Sequence, residues 1–400
     1  MTQPAPGCEG SQPPPGEAAA FAAALAGLPG MTPARLSKVL DGFTPALAWR
    51  ALAAGAHPAD RGRRFASAAR ATDVGAVADA YRRAGVRVLL RDTAGYPARL
   101  VGDRGQPAVL FALGDPTCVD RRPSVALVGT RSATHYGRSV AAELGGELAA
   151  AGVVVVSGLA LGIDAAAHLG ASRHPGRRGE PVAVVGTGLD VVYPSHQADL
   201  WRAVAEAGAV LSEAPLGTPP RPRVFPARNR IIAALSDVVV VVECHLRGGA
   251  LYTAEAAARR GIPVGAVPGS VRSPASSGCN ALLADGCTPI RDVADVLAAV
   301  DLARAERPAS WPATILRAAR CPRPADAPGG GQSRGRAASA APVAASEEER
   351  RVWEAVEDHP TTLETILLRT GLSIAAVAMA CEALLERGQL HGGPGWWSRA

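Results

Sequence analysis

Residues 224–243, "VFPARNRIIAALSDVVVVVE", decide the fold. They close on five consecutive valines and Glu243. An unbroken β-branched run keeps no polar face for water, so it belongs to a strand covered on both sides, as in a parallel sheet between helices. Working outward, similar runs recur at "VALVG" (125–129), "VVVVS" (153–157), "VAVVG" (182–186), "AVLSE" (209–213) and "PVGAV" (263–267). Alanine-rich helical stretches separate them. Strand and helix in alternation imply right-handed crossovers. The expectation over residues 83–302 is an α/β fold with an extended Rossmann-like, doubly wound sheet. An upstream piece, "GVRVLLRDTAGYPARL…PAVLFALGD", adds strands to it.

The first half of the same stretch raises a chemical question. Arg221, Arg223, Arg228 and Arg230 stand within ten residues that contain no acid. A structural surface normally mixes both signs, whereas a single-sign cluster beside a buried strand fits an anionic partner. Ligands of open α/β sheets sit at the carboxyl ends of the strands. There, "GTRSATHYG" runs from Gly129 to Gly137, with Arg131 ahead of a helix whose first N–H groups suit an anion. "SGLALGIDAAAH" follows another strand, so Ser157 and Gly158 can present donors. Asp164 reads as a helix-dipole cap. With His168 four residues on, it forms either a catalytic dyad or a buried structural pair. "GTGLDVVYP" carries Gly186 and Gly188, but Val191 stands where a dinucleotide fingerprint needs glycine. A Walker A loop is excluded, because the only lysine is Lys38. Several phosphate-friendly loops, four arginines and Phe225 for stacking suit a nucleic-acid strand better than one mononucleotide.

Composition agrees. The chain has 400 residues, a formal net charge of +6 and 48% hydrophobic residues, enough for two or three domains. Its positive charge is almost wholly arginine, which pairs with phosphate bidentately. Seven cysteines make no CxxC pair, and Cys279 and Cys287 have no histidine nearby. Neither structural zinc nor a disulfide framework is expected, and no cofactor is called for. The opening "MTQPAPGCEGSQPPPGE" is not a basic-then-apolar leader, and no run approaches the ~20 apolar residues of a membrane span. A cytoplasmic protein without membrane contact is the expectation.

Flanking segments complete the plan. Residues 1–18 read as disordered. Residues 19–75 form a small helical module, in which "LPGMTPARL" is similar to a helix-hairpin-helix turn except that Thr32 takes the second glycine's place. Residues 303–345, rich in Pro, Gly, Ala and Ser, read as a flexible linker. In 346–400, Ser346 and Glu349 form a capping box, Ser373 caps a later helix, and a Gly-Pro-Gly turn joins "QLH" to "WWS". Three helices and a hairpin outline a winged helix. Its third helix carries only Arg387 against Glu382 and Glu386, which favours a protein partner over DNA.

Seven blocks then resemble one family in order: "VGTRSATHYG", "VVVSGLALGIDAAAH", "VAVVGTGLDVVYP", "LSEAPLGTPP", "FPARNRIIAALSDVVVVVE", "LYTAEAAARRGIPVGAVPG" and "SSGCNALLADGC". They are similar to the DNA-processing protein A family (DprA, also called Smf) over roughly 85–295. The resemblance implies a non-enzymatic protein that binds single-stranded DNA without cutting it. It also implies homodimers and loading of the RecA recombinase onto incoming strands in natural transformation. By position it assigns strand contacts to Arg131, Ser157, Gly158, Phe225, Arg228, Asn229 and Arg230, beside Gly129 of the first loop. Members often carry a basic residue where Pro222 stands, with Arg221 and Arg223 on either side here. Leu161 replaces an arginine common in the family, and Gly248-Gly249-Ala250 replaces Ser-Gly-Ser. The competing class is a Rossmann-like nucleotide phosphoribohydrolase or nucleotide sensor. Its PGGxGTxxE loop aligns with "RGGALYTAE", Arg247 to Glu255, where Leu251 and Tyr252 replace the phosphate-cradling Gly-Thr.

Overall fold

The computed structural model describes residues 15–91, 93–222, 224–305, 346–356, 361–387, 389–393 and 396–399. Of the disorder expected over 1–18, residues 1–14 lie outside the described residues and 15–18 instead open a helix; of the linker expected over 303–345, residues 303–305 end a helix and 306–345 lie outside, as does Arg223. The chain divides into two compact units, Met1–Pro322 and Arg323–Ala400.

The first unit opens with helices α1 (Pro15–Gly27), α2 (Pro33–Val39), α3 (Pro45–Ala53), α4 (Ala66–Ala71) and α5 (Val74–Arg83). Thr32, Thr44 and Asp73 cap α2, α3 and α5, each accepting a first-turn amide, and Pro33 and Pro45 follow the two threonines. Proline fits there because its missing N–H has no helical partner to lose. Thr32 therefore departs from the helix-hairpin-helix pattern because it is a cap. The helices do not have a core of their own. Leu25, Trp49 and Leu52 pack in one cluster with Phe111, Val185 and Val210 of the sheet.

Next come β1 (Arg87–Leu90), β2 (Val109–Gly114), α6 (Cys118–Arg121), β3 (Ser124–Gly129), α7 (His135–Ala150), β4 (Val154–Ser157), α8 (Ile163–Arg173), β5 (Pro181–Val185), α9 (Ala198–Ala207) and β6 (Ala209–Ser212). The unit closes with α10 (Val224–Ala234), β7 (Val238–Glu243), α11 (Leu251–Ala258), β8 (Val264–Ala266), α12 (Ser277–Ala284), β9 (Thr288–Pro289) and α13 (Val293–Ala305). Nine strands form one sheet in the order β1-β2-β6-β5-β4-β3-β7-β8-β9. From β6 to β9 every pair is parallel, and β2 joins β6 antiparallel, with β1 antiparallel beyond it. The valine runs are buried on both faces, as their lack of a polar side requires. This is the Rossmann-like sheet, extended by a hairpin at one edge.

Connections run leftward from β3 to β6, then cross to β7 on the other side of β3. The crevice of a doubly wound sheet lies at that switch. Away from it, a buried ion pair ties distant segments. Arg99 donates to both oxygens of Asp237 at 2.9 and 3.0 Å, and to the carbonyls of Val119 and Arg122. Asp237 also accepts from the Ser124 amide at 2.8 Å, so hairpin, β3 and β7 share one clasp.

The second unit has α14 (Glu347–Ala355), β10 (Thr361–Thr362), α15 (Leu363–Thr370), α16 (Ile374–Glu386), β11 (Leu390–Gly393) and β12 (Trp396–Arg399). The Ser346–Glu349 capping box forms in both directions, and Ser373 caps α16. Strands β10, β12 and β11 pair antiparallel, giving the winged-helix outline. Val352, Trp353, Ile366, Val377 and Leu384 form its core.

Candidate nucleic-acid interface

The loops after β3, β4, β5, β6 and β7 meet around one hollow of 490 Å³ at the switch point. Helix α10 supplies most of its chemistry. It begins at Val224, three residues before the start near Ala227 that the proline suggests. Pro226 is tolerated because first-turn amides have no intrahelical acceptor. Phe225, Arg228 and Arg230 consequently sit on the helix itself.

Arg228 points inward. Its Nη1 donates to Gly158 O at 2.7 Å and to Val184 O, its Nε to Asn229 Oδ1 at 3.0 Å, and its Nη2 lies 3.8 Å from Asp164. Burial pulls its pKa down to about 10 against the pull of Asp164, and Arg131 lowers it further. Burial likewise pushes the Asp164 carboxyl up, although Arg228 opposes it. A side chain at 158 would collide with the guanidinium, which explains Gly158. Asp164 and His168 are both buried, but no hydrogen bond joins them, so neither the dyad nor the structural pair forms, and burial holds His168 down at about 3.

Arg230 is committed too. Its Nη2 pairs with Glu213 at 2.5 Å, and its Nη1 donates to Gly105 O. Glu243, by contrast, binds no arginine among the described residues. It takes the amide and hydroxyl of Thr134 at 2.8 and 2.7 Å, fixing the start of α7. Ser157 is wholly buried, and its hydroxyl donates to Leu127 O at 2.6 Å. Gly129 permits close packing, since a Cβ there would stand 2.7 Å from Glu243 O. Asn229 Nδ2 donates to Gly249 O at 3.3 Å, so it clamps α10 to the loop after β7.

The groups open to a ligand are different ones. Arg131 and Arg221 are exposed and line the hollow. The Arg131 guanidinium carbon sits 4.5 Å from the centre of the Phe225 ring, a cation–π contact. The Tyr193 ring also lies 5.6 Å from that of Phe225, tilted by 37°. Tyr193 was not among the expected site residues. Its signal is the aromatic ending "GTGLDVVYP", a loop tested above only for its glycines. The structure thus brings Gly129, Arg131, Gly158, Arg221, Phe225, Arg228 and Asn229 together, buries Ser157, and holds the half-buried Arg230 against Glu213.

Glu255, the residue a hydrolase would need, is elsewhere. It lines a separate hollow beside α12 and pairs with Arg259. Among the described residues no group of three or more His, Cys, Asp or Glu could hold a metal ion, and no helix is long and apolar enough to cross a membrane.

Comparison with known proteins places this geometry. A putative DNA processing protein DprA of Mycobacterium tuberculosis (strain CDC 1551 / Oshkosh) is 43% identical over 205 residues, 51% of either chain. The match therefore takes in about half of that relative's length. The DNA processing protein DprA of Bacillus subtilis is 37% identical over 217 residues, 54% of this chain and 72% of its own. The X-ray structure of DprA from Streptococcus pneumoniae superposes with a TM-score of 0.60 and 31% identity, covering 70% of this chain and 97% of that one. Residues 336–389 match the DprA winged helix domain. Residues 87–301, which hold the sheet and the arginine hollow, match DNA recombination-mediator protein A, and the chain belongs to that DprA/Smf family.

Proposed function

We propose that this chain binds single-stranded DNA, protects it on entry, and loads RecA recombinase onto it during transformation, acting as a homodimer in the cytoplasm without hydrolysing nucleotides. The observation that carries strand binding is the rim at the switch point, where exposed Arg131 and Arg221 flank the Tyr193–Phe225 ring pair. Cations beside stacking faces bind unpaired strands, because every base has a π-face and every nucleotide a phosphate. A duplex hides those faces. Family membership supports the setting in DNA recombination. The position of Glu255, turned to Arg259 and away from the arginine hollow, supports a binding role over a hydrolase. In the second unit, Arg387 is paired with Glu349 at 2.8 and 2.9 Å, while Leu368 and Met379 are exposed. That surface suits a protein partner.

Fluorescence anisotropy with a labelled single strand, the matching duplex and AMP tests the reading. Tight binding of the single strand alone supports it. Release of base from AMP, abolished by Glu255→Gln, would replace it with the hydrolase.

A further inference from the structure

The N-terminal helices carry a second concentration of positive charge, outside the segment that matches the family. Arg35 and Lys38 of α2, with Arg61 and Arg64 of the loop before α4, surround a hollow of 360 Å³. All four are exposed. The acid in the lining, Asp60, is buried and gives its two carboxylate oxygens to the amides of Arg64 and Phe65, at 2.9 and 3.0 Å. Its charge is spent on shaping the loop. Some exposed arginines elsewhere in this unit, Arg82, Arg202, Arg259 and Arg291, bond to a carboxylate one turn away, at Asp79, Asp199, Glu255 and Asp295. The four cations here form no such pair among the described residues. Arg35 is instead held by Gly30 O at 2.7 Å.

Like charges gathered without a counter-charge repel one another, and an anionic ligand relieves that repulsion. Of the apolar lining, Val39 and Phe65 are buried and only the small Ala59 side chain is exposed, so the hollow presents charge and little apolar surface. Repeating phosphates fit it better than a peptide with side chains to seat. We propose that this hollow is a second phosphate-binding site, which grips the backbone of a DNA strand already held at the α10 rim. The proposal rests on the strand-binding reading, since a strand held at one place meets the other at high effective concentration.

Lys38 is the chain's only lysine, so its acetylation by a mild acylating reagent reports on this hollow directly. A strand of about 8 nucleotides fills one site, and one of about 40 reaches both. With the full-length protein, the long oligothymidine should shield Lys38 severalfold and the short one should not. The triple variant Lys38→Gln, Arg61→Gln, Arg64→Gln should bind the short strand as wild type does. On the long strand its log–log salt dependence should flatten by about 2, for three phosphate contacts at ~0.7 each. Long-strand binding that is unchanged in affinity and slope, with Lys38 acetylated as fast as in free protein, sinks the second site alone. Wild-type protein that binds neither length sinks the strand-binding reading as well. Protection of Lys38 by polyglutamate but not by the long strand assigns the hollow to an acidic peptide and overturns the proposal.

Discussion

Two arginines far apart in the sequence, Arg131 and Arg228, have opposite fates in the structure. Arg228 is buried among Gly158 O, Val184 O and Asp164, whereas Arg131 rests exposed on Phe225. Removing one partner of a buried pair leaves the other charge uncompensated, so Arg228→Ala should cost roughly 3 kcal/mol or more of stability. Its measure is the thermal midpoint. Arg131→Ala should leave the midpoint in place and flatten the salt slope of strand binding by about 0.7. Phe225→Ala and Tyr193→Ala should each weaken binding by ~1–3 kcal/mol with the slope preserved, because stacking carries no net charge. A Tyr193→Ala protein that binds at full strength would remove that ring from the site. His168 gives a pH test. Its ring stays neutral in the folded chain down to about 3 and takes a proton in the unfolded chain below ~6.5. Its stabilisation is therefore complete above ~6.5 and drains as pH falls, reaching a loss of about 2 kcal/mol near pH 5. Asp164, whose pKa is raised, works with the opposite sign. As pH drops from 7.5 to about 5 the wild type should lose about 2 kcal/mol relative to His168→Phe, and parallel melting curves would rule the histidine out.

At the scale of elements, the sequence was most readable where one force dominates. The valine runs at β3, β4, β5 and β7 admit only burial on both faces, and Ser346 with Glu349 leaves one way to start a helix. Ser346→Ala should accordingly lower the stability of the second unit by ~1 kcal/mol, seen in its own melting transition. Side-chain direction on α10 was not readable. Arginine spacing gives the charge, but which arginine turns inward depends on Asp164 and Glu213, brought in from α8 and from the end of β6. Of the two glutamates nearest this run in the sequence, Glu213 takes Arg230, while Glu243 serves Thr134. Tyr193 escaped notice because nothing local links it to Phe225, and only the meeting of two strand-end loops does so.

The whole molecule keeps its two units chemically distinct. The second has its own core and ties up Arg387, so deleting 346–400 should change strand affinity by less than about threefold, or ~0.7 kcal/mol. A hundredfold loss in the same anisotropy titration would make that unit a DNA-binding element. The first unit, in contrast, is closed by partners far apart in the chain. Gly114 of β2 pairs with Ala209 of β6, and Arg99 reaches Asp237, 138 residues on. During synthesis the N-terminal helices and their hairpin leave the ribosome long before β6 and Asp237 exist. At ~5–20 residues per second, the nascent chain waits several seconds with Phe111 and Leu110 uncovered. That interval is an opening for trigger-type chaperones, and rare codons placed between residues 115 and 209 should lengthen it and lower the soluble yield.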